Sequence, residues 1–155
     1  MHRRNILATA LAATGALFAA GTRKGKAETA AERATETRDA GKVVYHVADI
    51  DKVAFALGNI DNHLAGVGGP AKVTIELVVH GPALRAFHAA TASPDTARRL
   101  ASLVKAQLKP SACVHTMHGQ NVTLKELLPG FTIAERGGVV RIAELQAQGY
   151  VYLRP

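Results

Sequence analysis

Cysteine is almost absent: the 155-residue chain has one, Cys113. A lone cysteine cannot staple its own chain, so ordinary packing must hold the fold together. Cys113 is then buried and inert, paired between chains, or reactive. Closely spaced ligand pairs such as Cys-x-x-Cys or His-x-x-x-His are also missing. No complete phosphate-loop motif occurs, and Gly66-Val67-Gly68-Gly69-Pro70 reads as a turn between a helix and a strand. There is no internal repeat. Acidic residues are absent from the first 27 positions, which hold Arg3, Arg4, Arg23, Lys24 and Lys26. Taking these five from the 19 bases leaves 14 against 12 acids, so a formal charge of +7 falls to +2. The basicity is mostly that of the N-terminal segment. The remainder carries little electrostatic footprint for DNA or RNA, which excludes a nucleic-acid partner.

What the N-terminal segment does contain is an address. Arg3-Arg4 precedes Asn5 and an Ala-rich apolar run ending near Ala20. Paired arginines ahead of a modestly apolar stretch resemble a twin-arginine export signal, with cleavage expected near Ala27. The basic Arg23-Lys24-Gly25-Lys26 stretch disfavours the general secretory route. The run is too short for a comfortable membrane span, so no stable span is expected after cleavage. A general secretory signal or an uncleaved N-terminal anchor are the competing readings. All three place the domain outside the cytoplasm, and the expected location is the periplasm. Residues 28–41 are polar and Ala-rich and read as a linker.

Residues 42–155 have room for one domain, and a chain that is 48% hydrophobic can build a core. Apolar periodicity predicts strands at Val43–Val47, Lys72–His80, Ser111–His115, Phe131–Ala134 and Tyr150–Leu153. Between them it predicts helices from Val53 to Leu64, from Ala83 to Ala89, from Pro94 to Leu108, from Thr123 to Leu128 and from Val139 to Gln148. Asp49 and Asp51 are the expected N-caps of the first, and Lys109-Pro110 the expected stop of the third. Arg141 and Glu144 read as an i, i+3 surface pair worth a few tenths of a kcal/mol. Strands alternating with helices give an α/β domain, three-layer and flavodoxin-like, with a mainly parallel five-stranded sheet.

In such sheets ligands bind at the carboxyl ends of the strands. Those ends carry His46 and Asp49, then His80-Gly81-Pro82, then Cys113 with His115-Thr116-Met117-His118. The candidate nucleophile is Cys113, because a thiolate is the reactive form of the side chain and a helix N-terminus or a charged histidine can favour it. His46, His80, His115 and Thr116 are the candidate binding residues. Alternatively, the four histidines at 46, 80, 115 and 118, with Cys113, form a metal or haem site.

Several segments in order, Val78-Val79-His80-Gly81-Pro82-Ala83-Leu84, Cys113 followed by Thr116-Met117, Leu127-Leu128-Pro129-Gly130, Gly137-Gly138-Val139 and Gln146 to Pro155, resemble the DsrE/DsrF-like family. The resemblance runs from about Lys42 onward. It implies a YchN-like fold and a homo-oligomer, trimer or hexamer. It also implies that Cys113 accepts sulfane sulfur as a persulfide and passes it to a thiol partner in a sulfur relay; no cofactor and no bound metal are expected. A strict enzymatic reaction, a sulfurtransferase-like one if any, is not established by the sequence. A non-catalytic oligomeric module that binds a small ligand at the same edge is the alternative.

Overall fold

The computed structural model describes residues 41–155. The expected export signal and all of the linker but Gly41 lie outside the described residues. Gly41 itself opens the first strand.

Five strands form one sheet: β1 (Gly41–Val47), β2 (Val73–Val79), β3 (Lys109–Cys113), β4 (Thr132–Ala134) and β5 (Val151–Leu153). Every pairing is parallel and the order is β4-β3-β2-β1-β5. Alternate residues of a strand face opposite sides of a sheet. On one side, Val43, Tyr45, Val47, Val73, Ile75, Leu77, Val79 and Ala112 build the larger core. Helix α1 (Val53–Val67) covers this side with Val53, Ala56, Leu57, Ile60 and Leu64, a stripe at helical spacing, and stops at Gly68, whose φ of 90° is left-handed. Helix α2 (Pro94–Lys105) starts at Ser93, whose hydroxyl accepts a hydrogen bond from the Thr96 N–H at 3.1 Å, and buries Leu100 and Leu103. A short α3 (Val114–Gly119) adds Met117 to the same core.

The second side is thinner. Here Val44 and Val78 meet Ile142 and Leu145 of α4 (Gly138–Ala147). The sheet is therefore covered on both faces, as expected. No described helix is long and apolar enough to cross a membrane.

Several local expectations are corrected. The third strand ends at Cys113 and not at His115, because Val114 already begins α3. Lys109-Pro110 does not follow the helix as a stop but opens β3, with Pro110 opposite Leu77. A proline tolerates the start of a strand, where its missing N–H costs least. The turns at Gly81–Phe87 and Leu124–Glu126 are 3-10 rather than α-helical. Lys52 and not Asp49 or Asp51 holds the N-cap position of α1; Asp49 precedes a 3-10 turn, Ile50–Lys52, without capping it and accepts from Arg154 at 3.1 Å. Arg141 and Glu144 are not partners: Arg141 reaches the buried Glu76 at 3.2 Å, and Glu144 takes Arg136 at 2.8 Å. A buried carboxylate demands a cation more strongly than an exposed one does, which decides where Arg141 goes.

Candidate functional site at the strand ends

The connections after β1, β2 and β3 pass over the face of the larger core, whereas the one after β4 leads into α4 on the other face. Adjacent strands β3 and β4 thus send their chains to opposite sides and open a crevice at their carboxyl ends, the usual ligand position in open α/β sheets. Cys113 is the last residue of β3 at that crevice, opposite Ala134 of β4.

The register places the candidate residues on one face. His46 pairs with Val78, Val78 with Ser111 and Ser111 with Thr132. Two residues further along, His80 and Cys113 continue the same face. Gly138, the first residue of α4, sits in the notch between them. A Cβ placed there would lie 3.3 Å from the Cβ atoms of both Cys113 and His80, so the helix approaches this closely because position 138 has no side chain. Burial pushes the Cys113 thiol up, but the N–H groups of Gly138, Thr116 and His115 and the Thr116 hydroxyl oppose it and leave the thiol below its ordinary range. These donors belong to two helix starts that converge on one sulfur, and they favour the thiolate over the thiol. Cys113 is nonetheless only 7% exposed.

Thr116 does a second job. Its hydroxyl accepts the Gly81 N–H at 3.0 Å, while the Gly81 carbonyl accepts from Gln120 at 2.8 Å. The Gly81 turn has φ +58 and is thereby tied to α3. His115 is exposed, and its ring lies against Gly137, where a Cβ would come within 2.9 Å of the imidazole.

Next to the thiol is a histidine pair. His46 Nε2 and His80 Nε2 are 2.6 Å apart, and the rings stack with centroids 4.6 Å apart. His46 Nδ1 meets the Tyr152 hydroxyl at 2.6 Å. Two neutral imidazoles and one phenol satisfy this chain with one proton per contact; two N–H groups would be opposed only if both imidazoles were charged. Consistently, burial, then His80, then Arg154, against a smaller opposing effect of Asp49, lower the pKa of His46 to about 4. His80 is lowered as well, by burial first and then by Arg154.

Thus the structure gathers His46, His80, Cys113 and Thr116 around the start of α4 and leaves His115 at the rim. Among the described residues, no group of three or more His, Cys, Asp or Glu comes together as a metal-ligand set. The set of His46, His80, His115, His118 and Cys113 is therefore not a cage. Sequence reasoning missed Tyr152 and Gly138. Both lie in segments whose resemblance was noted, but nothing local ties either of them to His46 or Cys113.

Neither a protein-family model nor a curated protein matches the sequence. Among solved structures, the chain is similar to a protein of unknown function from Methanobacterium thermoautotrophicum, with a TM-score of 0.65 and 23% identity over 74% of this chain and 99% of that one. It is also similar to the YchN protein from E. coli, with a TM-score of 0.53 and 14% identity over 74% and 98%. At these identities the likeness is one of fold, and together with the five-stranded parallel sheet it establishes that the described domain has the YchN-like α/β fold.

Proposed function

We propose that this protein is a DsrE-like sulfur carrier that accepts sulfane sulfur on Cys113 and hands it to a thiol partner. The observation that carries the reading is the place of the one thiol of the chain, at the end of β3 where the starts of α3 and α4 meet. The thiolate is the form that attacks a sulfane sulfur, and a thiol held below its ordinary range supplies more of it. The fold and the ordered motifs support a DsrE-like assignment. The paired arginines and apolar run of the N-terminal segment support a periplasmic site of action.

The test is the intact mass of the reduced full-length chain after exposure to polysulfide, with Cys113→Ser beside it. The expected result is one added sulfur on the wild type, removable by reductant, and none on the variant. Equal loading of both would overturn the proposal. The burial of Cys113 favours one competing reading, a binding module in which the cysteine is packing. That reading prevails if the native thiol takes up no sulfur and resists alkylation until the chain is unfolded.

A homo-oligomer belongs to the same proposal. Phe55 is 59% exposed, Val139 71% and Val151 60%, which is apolar surface that a second copy would cover. Light scattering is expected to give a mass of several chains; a monomer at micromolar concentration would remove this part.

A further inference from the structure

Between β3, β4 and the first turns of α4, with Ser111 but not Cys113 in its lining, lies a cleft of about 310 Å³. It is distinct from the histidine pair, neither member of which lines it. Its floor carries Ser111, which is 3% exposed and whose hydroxyl has no hydrogen-bond partner. Leaving a buried hydroxyl unpaired costs about 1–3 kcal/mol, so Ser111 is an unsatisfied group beneath the cleft.

The walls show what kind of occupant fits. Arg136 and Glu144 line the cleft and bond each other at 2.8 Å; Arg141 also lines it and holds Glu76 at 3.2 Å. Each guanidinium has five N–H donors and commits only one of them in these bonds, and each carboxylate keeps free lone pairs. Thr132 adds a second hydroxyl. A bare anion would meet the carboxylates as readily as the guanidiniums. An apolar ligand would strand all of them. Charge of both signs together with hydroxyls matches a compact zwitterion, in which a carboxylate faces the guanidiniums and an ammonium faces Glu144.

Position supplies the rest. Ser111 and Cys113 are two residues apart on the same face of β3, about 6.6 Å along the strand. An α-amino acid headgroup seated over Ser111 can extend a short sulfur-bearing side chain toward Cys113. We infer that this cleft is the headgroup site for a zwitterionic low-molecular-weight persulfide of the cysteine class, the sulfur donor to Cys113. The inference rests on the carrier reading above. In the step, the Cys113 thiolate attacks the terminal sulfur of R–S–SH. The S–S bond of the donor breaks, Cys113 retains the sulfane sulfur as Cys113–S–SH, and R–S⁻ leaves to be protonated by water. No outside oxidant or reductant is consumed.

The test separates headgroup binding from chemistry by using S-methylcysteine, which has the headgroup but no transferable sulfur. Titrated into the full-length chain and followed by calorimetry, it is expected to bind saturably to the wild type and equally to Cys113→Ser. Ser111→Val, which fills the floor, and Glu144→Gln, a change at a half-exposed position that leaves the core untouched, are each expected to weaken binding about tenfold. Absence of saturable binding to the wild type, or full affinity in both variants, overturns the inference. So does equal affinity for propionate, which lacks the ammonium. Saturable S-methylcysteine binding in a chain that never loads sulfur from polysulfide would keep the headgroup site and overturn the carrier reading instead.

Discussion

Lowering the pH from 7 to 4 is expected to weaken the fold by about 3 kcal/mol through His46. In the unfolded chain this imidazole has a pKa of roughly 6.5, and in the folded domain about 4. Between these values the unfolded state binds the proton and the folded state does not. The stabilisation is therefore complete above pH 6.5, is lost as the pH falls toward 4, and changes no further below that. The physical cause is first the burial of the imidazole, which disfavours its charged form, and then the neighbouring His80 and Arg154, with Asp49 only partly offsetting them. His80 is shifted in the same direction and adds to the effect. Urea midpoints at pH 7, 5.5 and 4 measure it. Surface carboxylates contribute to any acid loss, so the decisive quantity is the difference from His46→Gln, which cannot charge and still offers one donor and one acceptor. The variant is expected to lose much less stability over this interval. Parallel pH profiles for the two proteins would show that the imidazole pair carries no proton-linked energy.

The second large effect concerns the thiolate. Thr116→Val keeps the shape of the side chain but removes the hydroxyl that faces Cys113 and receives the Gly81 N–H. A hydrogen bond to a charged group contributes about 1.5 kcal/mol or more, so alkylation of native Cys113 at pH 7 is expected to slow roughly tenfold. The same change unpairs the Gly81 N–H and costs about 1 kcal/mol of stability. Thr116→Ser retains both bonds and is expected to restore the rate. That rescue separates donation to sulfur from packing at the methyl group. If Val and Ser alkylate at the wild-type rate, the Thr116 hydroxyl does not act on the sulfur.

The expectation that His46, His80 and Cys113 share an edge could be reached from the sequence, because each closes a short apolar run and parallel strands align such ends. The geometry agrees for these three. It could not be seen that they also share a face, because that depends on register, and β3 starts two residues earlier than its apolar pattern suggests. The proline at 110 was the obstacle: locally it reads as punctuation, and only its neighbours in the sheet make it strand. Val114-His115-Thr116 misled in the opposite sense, since β-branched residues favour extended chain and yet tertiary packing of Met117 draws the segment into α3. Gly138 and Tyr152 gave no local signal at all. Their importance comes from α4 crossing to the thinner face and from β5 pairing with β1. For the same reason Arg141 was paired by sequence with its neighbour on the helix, when its partner is a buried carboxylate on β2.

The pairing of β5 with β1 joins the strand that comes last in sequence to the strand that comes first. The Tyr152–His46 contact spans 106 positions. Contacts of such separation form late, after the local ones have paid their loop entropy. The sheet is therefore complete only when β5, the last strand of the chain, has docked beside β1. Cys113 is covered by Gly138 of α4, the helix that leads into that strand, so the guard of the thiol is drawn from the C-terminal end of the chain.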